Sequence, residues 1–161
     1  MVIDCTHKNG DIPRHIRNGG AWFYNLPKPA QENILEELSK LPIMMEIELI
    51  GGQKVGVIHA EVPISEKSHG WQEAKNWVTH MIEENQQKTV LQLSLYSRIK
   101  IGNQDRTKIK GIDRVYVGHT TVGNITKLGN VTYIDTGCSF EDGALSLLDL
   151  NAGAIFTKTM S

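Results

Sequence analysis

Two short segments constrain this chain most: Val57-Ile58-His59-Ala60-Glu61 and Val115-Tyr116-Val117-Gly118-His119-Thr120, each an apolar run ending in a small-residue turn that carries one histidine. Such runs read as strands. A histidine at the exit of a strand sits at the carboxyl edge of a sheet, where open α/β folds keep their ligands and metals. Tyr133-Ile134-Asp135-Thr136-Gly137 follows closely as another strand ending in a polar turn. Together the three segments resemble half of a metal site. Taken singly, a strand-end histidine is more often a hydrogen-bonded structural residue, so the weight rests on the order and separation of the three.

The rest of the sequence supplies the elements such a sheet needs. The leading residues through Asn9-Gly10-Asp11 read as a polar loop, Asn18-Gly19-Gly20 as a turn, and Trp22-Phe23-Tyr24 as an aromatic cluster that wants burial. Pro29 suits a first helical turn, and Ile34, Leu35, Leu38 and Leu41 recur at helical spacing. Alternation at Met45, Ile47 and Leu49, then Gly51-Gly52, then Val55 to His59, predicts a hairpin. Trp71, Ala74, Trp77, Val78 and Met81 predict a second amphipathic helix running out in the polar stretch Glu83 to Lys88. Residues 90–99 fit a short helix carrying Arg98. Strands are expected at 112–117, 131–135, 144–150 and 153–158. The expected fold is α/β, with a mixed or mostly antiparallel sheet and helices on one face, in one domain over residues 1–161, since no repeat or linker divides the chain.

Composition excludes some partners. A net charge of −1 at 40% hydrophobic residues gives no bulk pull toward nucleic acid or membrane. No apolar stretch approaches the roughly 20 residues a bilayer span needs, and Met1-Val2-Ile3-Asp4-Cys5 lacks the regions of a signal peptide. A cytoplasmic chain is therefore expected. Cys5 and Cys138 should then be free thiols, and the acceptor-like Asn124-Ile125-Thr126 and Asn130-Val131-Thr132 accidental.

Read in order, the segments resemble a known family. Asn18-Gly19-Gly20-Ala21-Trp22 matches an Asn-Gly-Gly-x-Trp segment, and His59-Ala60-Glu61-Val62-Pro63 a His-Ala-Asp/Glu segment with a nearby proline. Leu95-Tyr96-Ser97-Arg98 resembles the stretch that carries a phosphate-binding arginine, and Gly118-His119-Thr120 and Tyr133 to Gly137 complete the pattern. The chain resembles the carboxyl-terminal two thirds of a bacteriophage-lambda-type serine/threonine protein phosphatase of the calcineurin-like metallophosphoesterase superfamily. The resemblance implies part of a β-sandwich flanked by helices and a binuclear site, usually of manganese, that activates water against a phosphomonoester. By carry-over, His59 and His119 become metal ligands and Arg98 grips substrate phosphate, with Glu61 or Asp135 steadying an imidazole.

The departure from the family is equally plain. Gly-Asp-x-His-Gly, Gly-Asp-x-x-Asp-Arg-Gly and Gly-Asn-His-Glu are absent, and Gly10-Asp11 runs into Ile12-Pro13-Arg14 instead. Those motifs supply the remaining ligands, the bridging aspartate and the acid for the leaving group. Met1 matches a position just beyond them, so a truncated frame, a disrupted gene or an expressed fragment is expected. The metal site would then be partial, and activity of this chain alone stays open, with weak metal binding and negligible hydrolysis expected. A phosphoprotein or small phosphomonoester is the implied substrate, and self-association through an exposed sheet the implied contact. Two other readings compete: a non-catalytic remnant that binds protein, and an unrelated α/β domain in which both histidines satisfy backbone groups. His7 and His15 fall in the leading loop region, His69 and His80 lie on or beside the second helix facing solvent, and none of the four shows ligand spacing.

Overall fold

Three short runs rich in β-branched and aromatic residues pair in parallel at the middle of the sheet: β2 (Lys54–Ile58), β3 (Arg114–Val117) and β5 (Val131–Tyr133). Antiparallel strands close both sides, β1 (Met44–Glu48) on β2 and β4 (Thr126–Leu128) on β5, giving the order β1-β2-β3-β5-β4. The fold is mixed α/β. This computed structural model describes residues 11–64, 70–80 and 84–159. The chain divides into two compact units, residues 1–42 and 43–161.

In the first unit, Asp11 caps α1 (Ile12–His15) by accepting from Arg14 N at 2.9 Å. The chain kinks at Asn18 and Gly19 (φ 88°) before α2 (Ala21–Tyr24), as the Asn-Gly-Gly turn predicts. Pro29 lies in the first turn of α3 (Lys28–Ser39). Of the aromatic cluster, Phe23 is fully buried while Trp22 stays 54% exposed.

In the second unit, the main hydrophobic cluster lies on one face of the sheet. The register puts Gly56, Ile58, Val115, Val117, Val131 and Tyr133 on that face, and α4 (Trp71–Thr79) packs against it through Trp71 and Ala74. Gly56 makes this possible, because a Cβ there would stand 2.4 Å from the Trp71 ring. Asn130, buried at the turn before β5, accepts from Ile109 N at 2.8 Å and donates to the Ile109 and Ile112 carbonyls at 2.9 Å each. The last two strands, β6 (Ala144–Leu148) and β7 (Ile155–Thr159), form a separate antiparallel hairpin. Leu145, Leu147 and Phe156 share one face of it and are 44%, 59% and 63% exposed.

Three expectations need correction. The polar stretch after the second helix is not its trailing end, because a new helix, α5 (Glu84–Tyr96), begins there. Arg98 is not carried on a helix of residues 90–99; it is the N-cap of α6 (Ile99–Gly102), in the break after α5. His15 is helical and buried, its Nδ1 2.8 Å from the Tyr24 hydroxyl. The strand β4 was not anticipated. Expectations placed on the leading loop, Cys5, His7, His69 and Met81 lie outside the described residues. No helix among the described residues is long and apolar enough to cross a membrane.

Candidate metal and phosphate site

The parallel strands place their exits side by side. In the register Ile58 is opposite Val117 and Val117 opposite Tyr133, so the next residues, His59, Gly118-His119 and Ile134-Asp135, emerge along one edge. The ladder runs on past the strands, with Gly118 N donating to the His59 carbonyl and Ile134 N to the Val117 carbonyl, both at 2.9 Å. The backbone then turns sharply. His119 has φ 62°, and Thr120 N donates to the Gly118 carbonyl at 2.6 Å, a γ-turn of the strained, positive-φ kind. Such a conformation costs of order 1–3 kcal/mol in a non-glycine residue and persists where surrounding contacts enforce it. Here it directs the His119 ring at His59: Nδ1 of one lies 3.3 Å from Nε2 of the other, with centroids 5.0 Å apart.

Electrostatics favour neutral rings. Burial lowers the pKa of His59 against a smaller opposing pull from Asp135. Burial also lowers that of His119, aided by the charges of Arg98 and His59, while a hydrogen bond to the Tyr96 backbone carbonyl and the Asp135 charge oppose the shift. The Tyr96 ring stands edge-on to His119 at 6.1 Å. Arg98, exposed, reaches back so that Nη2 donates to the His119 carbonyl at 3.4 Å.

This arrangement suits a cation beside an anion. Two nitrogens bound to one divalent ion at about 2.0–2.1 Å are roughly 2.9–3.4 Å from each other, and the two imidazoles meet that spacing. The Arg98 guanidinium against the same turn is a planar fork of donors, a shape that can match an oxyanion. Among the described residues, no group of three or more His, Cys, Asp or Glu side chains converges to hold a metal.

Of the two carboxylates expected beside an imidazole, Asp135 is within electrostatic range of both rings, its Oδ1 accepting from Gly137 N at 3.0 Å. Glu61 is otherwise engaged. Its buried carboxylate accepts from Ser97 Oγ at 2.5 Å and from Lys100 N at 2.8 Å, a role the sequence reading missed. His80 is exposed at the end of α4, and Cys138 is exposed and free. A cavity of about 410 Å³ has Glu61, Lys100 and Tyr133 in its lining, but none of His59, Arg98, His119 or Asp135.

No family model matches the chain. It is 30% identical over 142 residues, 86% of its length, to serine/threonine-protein phosphatase 2 of Escherichia coli strain K12. It is 33% identical over 135 residues, 82% of its length, to serine/threonine-protein phosphatase 1 of Salmonella typhimurium strain LT2. The matches take in 58% and 54% of those two proteins, so the chain spans a little over half the length of the curated relatives it matches. Over the part it shares with them, the chain is similar to these two serine/threonine-protein phosphatases.

Proposed function

We propose that this chain carries part of the active site of a metal-dependent hydrolase of phosphomonoesters, of the protein phosphatase type, and that its sheet is part of a helix-flanked metallophosphoesterase sandwich. The observation that carries the reading is the 3.3 Å approach of His59 Nε2 to His119 Nδ1, with Arg98 against the same turn. His59 and His119 would hold one divalent cation, manganese by family resemblance, which supplies an activated water and neutralises charge on the phosphoryl group. The chain's own residues do the rest. Partial desolvation at the sheet edge lowers both imidazole pKa values and so favours the unprotonated rings that a cation needs, and Arg98 grips two oxygens of a phosphoserine, phosphothreonine or small phosphate ester. Two neutral donors without an anionic bridge bind a cation weakly, so this chain alone hydrolyses negligibly. The low cysteine content, two in 161 residues, suits a cytoplasmic setting.

Manganese titration calorimetry on the wild type and on His119→Ala tests this. Weak one-site binding that falls further in the variant is expected, and equal binding by both overturns it. A second reading, a non-catalytic module that self-associates or binds protein, is favoured by the exposed Leu145, Leu147 and Phe156 on one hairpin face. A monomer by sedimentation velocity whose manganese binding is weakened in His119→Ala would reject it.

A further inference from the structure

Glu61 lies two residues beyond a candidate metal ligand, but its carboxylate serves the other side of the site. Oε2 accepts from Ser97 Oγ at 2.5 Å and Oε1 from Lys100 N at 2.8 Å, while Ile99 N donates to Ser97 Oγ at 3.3 Å. Those partners bracket Arg98. Ser97 precedes it, and Ile99 and Lys100 open α6, whose N-cap is Arg98 itself and offers no side-chain capping bond of its own. The first amides of a helix need acceptors, and here a carboxylate 39 residues away in sequence provides one directly and a second through Ser97. Glu61 and Ser97 are buried at 9% and 8% exposure, whereas Arg98 is exposed. The exposed arginine is thus held by a buried bracket at both sides, and the bracket hangs from the strand exit that carries His59.

We propose that Glu61 is the positioning residue for Arg98: it fixes the Ser97 to Lys100 turn so that the guanidinium is presented to phosphate beside the histidine pair. The inference rests on the reading of Arg98 as a phosphate ligand. A pre-set guanidinium binds an anion without first ordering its own backbone, and small misplacements of such groups cost up to about a hundredfold in function.

The experiment uses the full chain and inorganic phosphate as probe. Nitrogen-15 relaxation of the Arg98 amide and phosphate titrations followed by the Arg98 side-chain resonance, or by calorimetry where Arg98 is replaced, are recorded for wild type, Glu61→Ala, Ser97→Ala, Arg98→Ala and Glu61→Ala/Arg98→Ala. Circular dichroism checks the fold. The proposal expects Glu61→Ala to loosen the Arg98 amide and weaken phosphate binding about tenfold, with no further loss when Arg98 is already alanine. Ser97→Ala, which leaves the Lys100 bond intact, gives a smaller change in the same direction and carries the test if Glu61→Ala does not fold. An Arg98 amide as ordered in both variants as in wild type overturns the proposal, as does an equal effect of Glu61→Ala with and without Arg98. A loosened amide together with wild-type phosphate binding by Arg98→Ala instead overturns the phosphate role of Arg98 while leaving the bracket standing.

Discussion

Adding one methyl group at Gly56 tests the packing that carries His59. The new Cβ would lie 2.4, 2.6 and 2.9 Å from three carbons of the Trp71 ring, against about 3.5–4.0 Å for a comfortable carbon contact. The indole must retreat by roughly 1 Å, yet it is only 1% exposed and tied by its Nε1 to Glu46 Oε2 at 2.7 Å and by its backbone N to the Lys110 carbonyl at 2.8 Å. Overpacking of this kind costs about 1–3 kcal/mol. Loss of the Glu46 bond adds about 1 kcal/mol, and the stiffer unfolded chain of alanine returns about 0.4–1 kcal/mol. Gly56→Ala should therefore destabilise by about 1–3.5 kcal/mol. Urea unfolding followed by circular dichroism measures this, and a cycle with Trp71→Leu should show a coupling of at least about 1 kcal/mol. A Gly56→Ala protein within about 0.5 kcal/mol of wild type would refute this packing of helix on sheet.

Other outcomes follow from the same geometry. Asn130→Asp keeps the acceptor for Ile109 N but turns an oxygen toward the Ile109 and Ile112 carbonyls, and should cost about 3 kcal/mol or more in chemical denaturation. Because His59 and His119 titrate below their ordinary 6.5 in the fold, the unfolded chain takes up protons first on acidification. Stability should hold above about pH 6.5 and fall as pH drops from there through the folded values, and a His59→Gln/His119→Gln variant should show a flatter profile. Leu147→Glu with Phe156→Lys should reduce any self-association seen by sedimentation velocity, since both residues lie opposite each other on the exposed hairpin face.

The residues that could be read in advance are those whose role shows in hydropathy or in a breaker. Alternation around Gly51-Gly52 marks the β1–β2 hairpin, and the apolar runs before Gly118 and Ile134 mark β3 and β5. The meeting of His59 and His119 follows from strand exits, because parallel neighbours leave a sheet at the same edge. What was missed lacks such a signal. Helix α5 buries Val90, Ser94 and, just beyond its end, Ser97 along one face, and serines on an inner stripe give no hydrophobic period. Strand β4 has three residues, Thr126-Lys127-Leu128, too few to show alternation. The bond from Glu61 to Lys100 N joins segments with no shared pattern, and only folded geometry brings a carboxylate to an uncapped helix start. His15 is buried by local aromatic contacts with Phe23 and Tyr24 rather than by an apolar neighbourhood visible in sequence.

The number of imidazole nitrogens that a manganese ion finds on this chain tests the shared site most directly. Pulsed electron paramagnetic resonance of the Mn²⁺-loaded protein counts them. Two bound histidine nitrogens in the wild type, one in His59→Ala and one in His119→Ala are predicted. A spectrum without imidazole coupling, or one unchanged when both histidines are replaced, would contradict the shared site.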